Sequence, residues 1–330
     1  MNRHRVVKAC GQMPLLVVPM AGCDGQQSVF RSMGPEAEHL AALSTILFVA
    51  GGLIFVLAMT ALLLALGGGA RVRHWLASRH AILLGGVAFP VVVLTMLLVW
   101  TLRIADRLAA RESAAPLRIE VTARQFWWSV RYPDHDVVSA NEIRVPVGRD
   151  VELRLVSTDV IHSFWVPALH GKRDMIPGHV TSLRFTAGQP GVMRGQCAEF
   201  CGIQHARMAL FVVAESEDDF NLWLGRHRAG AYRPEDPFLA HGWDAFGAAG
   251  CGACHAIRGT PWSGRIGPDL TLVGGRQSLA AGTLDNHVAM LAGWIADPQT
   301  LKPGNAMPAF SAVLDGQSLR ALALWLSSLR

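Results

Sequence analysis

Two long stretches without a charged residue constrain this chain more than any other feature. Residues 40–66 and 81–102 are apolar, broken only by scattered Gly, Ser, Thr and Pro. About 20 helical residues cross the hydrocarbon core of a bilayer, where a helix satisfies its own backbone. Each stretch is therefore expected to be a transmembrane helix. The loop between them, Gly67-Gly68-Gly69-Ala70-Arg71-Val72-Arg73-His74-Trp75, with Arg79 and His80 beyond, is basic and lacks an acid. The positive-inside rule puts this loop in the cytoplasm and both ends of the hairpin outside.

The N-terminus agrees with that topology. Arg3, Arg5 and Lys8 precede a short apolar core, Leu15-Leu16-Val17-Val18, and small residues follow in Met20-Ala21-Gly22-Cys23. This pattern reads as a signal peptide of lipoprotein type over residues 1–22, cleaved ahead of Cys23. Residues 23–112 then hold an N-terminal segment and the hairpin.

Beyond the hairpin the sequence turns globular. With 51% apolar and 17% charged residues, the chain is neither disordered nor fibrous. Its net charge of +5 is scattered, with no basic run of the kind that binds nucleic acid. Short alternating runs such as Ile119-Glu120-Val121-Thr122 and Val151-Glu152-Leu153-Arg154-Leu155 predict a β-sandwich over residues 113–220. A polar stretch ending in Arg233-Pro234-Glu235-Asp236-Pro237 predicts a linker over 221–237. Residues 238–330 read as helices and loops, the last helix carrying Leu319, Leu322, Leu326 and Leu329 on one face.

Two cysteine motifs carry the chemistry. In Cys251-Gly252-Ala253-Cys254-His255, two thiols can add to the two vinyl groups of one haem, and the adjacent imidazole then sits under the iron. A zinc or thioredoxin-like reading lacks a second Cys pair and leaves the His unused. The sixth ligand should be a soft donor from a distant loop, best supplied by Met307 of Gly304-Asn305-Ala306-Met307-Pro308. Met290, within an apolar helical stretch, reads as core. The second motif, Cys197-Ala198-Glu199-Phe200-Cys201-Gly202-Ile203-Gln204-His205-Ala206-Arg207-Met208, gathers two thiols, an imidazole and a thioether. Such donors select copper or zinc. A Cys₂His₂ zinc site and a Cys197–Cys201 disulfide are the alternatives, and neither uses Met208.

The pattern C-x-E-x-C-G-x-x-H-x-x-M resembles the dinuclear CuA motif of the cytochrome c oxidase subunit II family. The tail, with Gly267-Pro268-Asp269-Leu270 after its haem motif, is similar to class I cytochrome c. Asp159-Val160-Ile161-His162-Ser163-Phe164-Trp165-Val166-Pro167, Gln125-Phe126-Trp127-Trp128 and Lys172-Arg173-Asp174-Met175-Ile176-Pro177-Gly178 follow the family order. Residues 37–330 thus resemble the fused caa-type subunit. The fold this implies is a two-helix transmembrane hairpin, then an all-β cupredoxin sandwich, then an all-α class I cytochrome c domain.

For the site, the resemblance implies that Cys197 and Cys201 bridge two coppers and that His205 and His162 each bind one. Residue chemistry alone does not separate His162 from His170 or His179; the motif does. Met208 and the Glu199 carbonyl would be weak axial ligands, and the Glu199 side chain would help hold magnesium against subunit I. One covalent haem c would sit on Cys251, Cys254, His255 and Met307, with the Pro268 carbonyl orienting His255. No catalytic group is expected in this chain, and Trp127 and Trp128 are the aromatic positions where electrons would arrive. All six cysteines then have assignments, with Cys10 in the signal and Cys23 lipidated.

The implied role is to take electrons from cytochrome c, or a bc-type complex, through haem c and CuA to haem a of subunit I. There, beside copper B, oxygen is reduced to water. Subunit III and the lipid bilayer would be further partners. The implied location is a bacterial inner membrane, multi-pass, with both metal domains on the periplasmic side. The sequence departs from the family pattern twice: Phe126 stands where Trp is usual, and no carboxylate lies between Gly67 and Ala105, where many members carry a Glu at the mouth of a proton path. Alternatives are a CuA-containing nitric oxide or nitrous oxide reductase, a free-standing membrane-anchored carrier, and a copper-delivery protein. The fused cytochrome and a second helix with Gly85, Gly86 and Pro90 favour the oxidase. Phe200 and Trp165 are expected to shield the copper site, which argues against delivery.

Overall fold

The computed structural model describes residues 25–109 and 115–330. The signal-like segment, with Cys10 and Cys23, lies outside the described residues. The first apolar run forms α1 (Pro35–Gly67). The basic loop forms a short helix, α2 (Ala70–Leu76). The second run is continuous from Arg79 to Asp106 but is assembled from three pieces. These are α3 (Arg79–Leu83), a π-turn (Leu84–Ala88) and α4 (Phe89–Ala109). The widened turn ends two residues before Pro90, which has no N–H to donate to the preceding turn. Both runs are long and apolar enough to cross a membrane, and their windows are unburied within the chain.

Ten strands follow: β1 (Leu117–Arg124), β2 (Trp127–Tyr132), β3 (Val137–Ala140), β4 (Glu142–Pro146), β5 (Asp150–Ser157), β6 (His162–Trp165), β7 (Arg173–Met175), β8 (Thr181–Thr186), β9 (Gly191–Cys197) and β10 (Ala209–Glu215). They form two five-stranded sheets, ordered β3-β2-β1-β5-β8 and β4-β10-β9-β6-β7. Alternation sets the inward faces, with Leu117, Ile119, Val121 and Ala123 of β1 beside Val151, Leu153 and Leu155 of β5. Tyr132 closes one end of this core. Its hydroxyl donates to the Arg144 carbonyl at 2.9 Å and accepts from the Arg144 N–H at 2.8 Å. Burial pushes its phenol far above the ordinary value, so it stays protonated.

The stretch expected to be a linker is largely helical. α5 (Glu217–Ala229) is capped by Ser216, with three acids in its first turn and three basic residues in its last. Phe220, Trp223, Leu224 and His227 recur at helical spacing and are buried, and Tyr132 packs edge-on against Trp223 at 5.2 Å. High polarity along this stretch masks an apolar stripe one residue wide. Only residues 230–236 are left irregular.

The last domain comprises α6 (Pro237–Ala248), α7 (Val288–Ala296), α8 (Pro298–Leu301) and α9 (Gly316–Ser328). α6 and α9 cross at Gly242, where a Cβ would lie 2.3 Å from the Ala321 carbonyl oxygen. Trp325 packs edge to face against Trp243, Phe246 and Trp262 beside that crossing. The described residues therefore have the anticipated class: two apolar helices, a cupredoxin-like sandwich and a helical cytochrome c domain. Tyr132→Phe should destabilise the β-domain by about 1–3 kcal/mol, because it removes the hydroxyl that pairs with both the N–H and the carbonyl of half-buried Arg144. Urea unfolding of the purified chain, followed by Trp fluorescence, measures that loss.

Candidate metal and haem sites

Register builds the first site. β9 and β10 pair antiparallel, with Gln196 opposite Ala209, so residues 198–208 form a closed loop. Cys197 N–H donates to the Met208 carbonyl at 2.9 Å. β6 pairs with β9 on the other side, Phe164 opposite Cys197, which brings His162 to the same end. The ligating atoms of His162, Cys197 and Cys201 all lie within 4.8 Å of one another.

The remaining donors complete the cluster. Cys197 Sγ lies 3.8 Å from Cys201 Sγ, and both thiols are free. His162 Nδ1 is 3.7 Å from Cys197 Sγ, and His205 Nδ1 is 3.7 Å from Cys201 Sγ. Met208 Sδ approaches Cys201 Sγ at 3.8 Å, and the Glu199 carbonyl oxygen approaches Cys197 Sγ at 3.2 Å. The Cys201 thiol beside it draws Cys197 down toward the thiolate, and the same contact pushes Cys201 up. Four donor atoms around two close sulfurs, six in all, fit a pair of soft metal ions. His170 and His179 lie apart, bonded to the carbonyls of Gly171 and Pro177.

Asp159 was not anticipated as a functional residue. Its Oδ1 lies 2.7 Å from His162 Nε2, which fixes the ring and leaves Nδ1 facing sulfur. Its position three residues before the ligand was the available signal. Gln125 was also missed: its Nε2 donates to the Cys201 carbonyl at 2.6 Å. Phe200, expected to be a shield, is 77% exposed, so the loop tip is open within this chain. Trp128 is wholly buried, edge-on to Phe164, which removes it from any encounter surface.

The second site is a cavity of about 460 Å³ lined by Cys251, Cys254, His255, Leu291, Met307 and Phe310. Burial pushes the His255 imidazole below its ordinary value. The neutral ring donates from Nδ1 to the Pro268 carbonyl at 2.7 Å, leaving the Nε2 lone pair for a metal. Gly267 permits this: a Cβ there would stand 2.5 Å from His255 Cε1. Met307, which lines the same cavity, is held by a loop in which its N–H donates to Asn305 Oδ1 and its carbonyl accepts from Gln299 Nε2, both at 2.8 Å. Met290, expected to be core, is partly exposed on α7 and does not line the cavity. The apolar walls, the two free thiols and a His and a Met lining the same cavity fit a covalent haem. Gln125, Phe126 and Trp127 of the β-domain also line this cavity.

Residues 136–215 match the family described as cytochrome c oxidase subunit II, periplasmic domain, and residues 239–330 match cytochrome c. The cytochrome c oxidase subunit 2 of Alkalihalophilus pseudofirmus is 30% identical over 331 residues, covering 96% of each chain. The chain belongs to the cytochrome c oxidase subunit 2 family. The homologue from Bacillus sp. strain PS3 is 32% identical over 259 residues, 73% of this chain and 72% of its own. Among solved structures, the periplasmic domain of subunit II of the Bradyrhizobium japonicum cytochrome oxidase is 31% identical. It covers 36% of this chain and 96% of its own, with a TM-score of 0.35.

As a subunit 2, the chain is part of a haem-copper oxidase, an oxidoreductase complex. Its first domain implies CuA copper and its second a c-type haem. The apolar helices and the match to a periplasmic domain fit a membrane-anchored subunit with periplasmic domains. Gly267→Ala should displace His255 from the Pro268 carbonyl and destabilise the cytochrome domain of this subunit 2 by about 1–3 kcal/mol. Thermal melting, together with the absorption band that reports axial ligation, tests this.

Proposed function

We propose that this chain is the electron-input subunit of a terminal respiratory oxidase, carrying electrons from a cytochrome c or bc-type donor through its c-type haem and a dinuclear CuA centre to haem a of subunit I for reduction of oxygen. The observation that carries this reading is the adjacency of the two sites. Gln125 and Phe126 line the haem cavity, and Gln125 is bonded directly to the Cys201 backbone. In this reading Cys197, Cys201, His162, His205, Met208 and the Glu199 carbonyl would hold the coppers. Cys251, Cys254, His255 and Met307 hold the haem. Bound copper and haem supply the one-electron oxidation and reduction.

The chain's own residues bind, orient and exclude water. Asp159 and the Pro268 carbonyl fix the two histidines whose rings must not reorient as charge changes. The buried sulfur of Met208 and the apolar wall of the haem cavity keep solvent from the donors. The Glu199 carboxylate is half exposed and 3.9 Å from Lys172 Nζ; in this reading it would turn from that ammonium to help hold a magnesium ion shared with subunit I. The two apolar helices support a membrane anchor; in this reading both cross a bacterial inner membrane, beside subunit I and subunit III.

Metal analysis of the purified oxidase, with an EPR spectrum of its oxidised form, tests the reading. Two coppers per c-type haem in this chain, with one unpaired electron shared over both coppers, are expected, whereas one zinc per chain overturns the copper assignment. Cys197→Ser should lower copper affinity by at least about 10–100-fold, the loss that even outer partners of a metal ligand cause. Haem content should be unchanged.

A further inference from the structure

Lys302 is 2% exposed, although lysine is rarely buried without partners. It lies in the cytochrome domain, five residues before Met307. Its Nζ donates to three backbone carbonyls: Phe126 at 3.1 Å, Arg207 at 2.8 Å and Ala280 at 2.9 Å. An ammonium has three hydrogens, so all are used. Burial pulls the group down to about 7, with Arg207 adding to the effect, and the three carbonyls favour the charged form against that loss of solvation.

The identity of the acceptors matters more than their number. Ala280 belongs to the same domain as Lys302, but Phe126 and Arg207 belong to the β-domain. Phe126 is a wall of the haem cavity, and its ring touches the Cα side of Gly202, where a Cβ would lie 3.2 Å away. Arg207 sits between His205 and Met208. One buried cation therefore joins the haem-cavity wall, the copper loop and the loop that carries Met307.

Contacts around Lys302 repeat the same pairing. Gln204 Nε2 donates to the Pro303 carbonyl at 2.7 Å, and Arg207 Nη1 donates to the Leu301 carbonyl at 2.8 Å. Ala209 N–H donates to the Ala281 carbonyl at 2.9 Å. Gly304, with φ of 78°, approaches so closely that a Cβ would lie 2.2 Å from Ile203 Cδ1. Segments 203–209 and 301–304 thus form one seam, and Lys302 is its buried centre.

We propose that Lys302 is a positioning residue that locks the cytochrome domain onto the copper loop in one docked orientation, and that haem and copper exchange electrons in that orientation. The second half rests on the electron-input reading above; the clasp itself rests on geometry. A buried charge answered by carbonyls from two domains specifies orientation because any other docking leaves it desolvated and unpaired.

The test is Lys302→Met in the full-length chain within the assembled oxidase. Hydrogen exchange in segments 203–211 and 277–284 should accelerate by roughly tenfold or more, as expected on losing charge-assisted hydrogen bonds. Haem-to-copper equilibration after photoreduction should slow by a similar factor. The copper EPR spectrum and the methionine-ligation band of the haem should stay at wild type, because no ligand is touched. Lys302→Gln, which keeps two N–H donors on a side chain one bond shorter, should fall between the two. Wild-type exchange in Lys302→Met overturns the clasp, as does an altered EPR or haem spectrum accompanying the slower transfer. If the Met variant does not accumulate, wild-type exchange in Lys302→Gln overturns it equally. Hydrogen exchange reads the clasp without reference to metals, so a wild-type protein lacking the two-copper spectrum sinks the functional reading alone.

Discussion

The structure depends on one hairpin closure, the bond from Cys197 N–H to the Met208 carbonyl at the mouth of the β9–β10 loop. It converts a run of 12 residues into a ring whose side chains converge. Without it, Cys197, Cys201, His205 and Met208 are neighbours only in sequence. β6 then enters as a third strand and supplies His162 from 35 residues away, a separation no local pattern could bridge. The sandwich holds these three strands in register, and the donors therefore converge at one end of it. Preorganisation of this kind suits electron transfer, because ligands that do not move do not have to reorganise when charge changes.

The second constraint is that the two sites share material. The haem cavity is completed by Gln125, Phe126 and Trp127, which belong to the other domain. Arg276 contributes to the same wall from the cytochrome side, and Gln277 N–H donates to Glu142 of β4 at 2.7 Å. This makes the two domains interlocked rather than beads on a string. Phe126 acquires a meaning here that its sequence position did not suggest. It stands where the family usually has Trp, and it is buried, faces the haem cavity and rests on the copper loop.

What the sequence disclosed follows from how local each signal is. Helices long enough to span, strands that alternate, and Cys motifs spaced for one metal or one haem are all written within about 30 residues, and these were legible. Phe220, Trp223, Leu224 and His227 were overlooked because a single apolar stripe among acids and arginines lowers the average polarity very little. The seam was illegible for a different reason. Lys302 bonds only to backbone carbonyls, and a carbonyl is the same atom at every residue, so nothing in sequence marks its partners. Met290 and Met307 show the converse: the apolar run around Met290 already set it apart from Met307, and the cavity, lined by Met307 alone of the two, agrees, although Met290 is exposed rather than core.

Rigidity also runs in the other direction, toward the membrane. Met33 N–H donates to the Ala168 carbonyl and Gly188 N–H to the Met33 carbonyl, both at 2.7 Å. Glu36, in the first turn of α1, accepts from Thr186 N–H at 3.3 Å. Gly34 lies so close to the Thr186 carbonyl that a Cβ would stand 2.2 Å from it. The first apolar helix therefore starts on the surface of the β-domain, with no spacer between them. α5 makes an equally direct junction at the other side of the sandwich, where Trp223 packs on Tyr132. Transfer between fixed redox centres falls steeply with distance, so a chain that serves it gains by having no slack at either junction. The β-domain is thus the common anvil for the membrane helix on one side and the cytochrome on the other, and the copper loop lies on the face where the cytochrome is held.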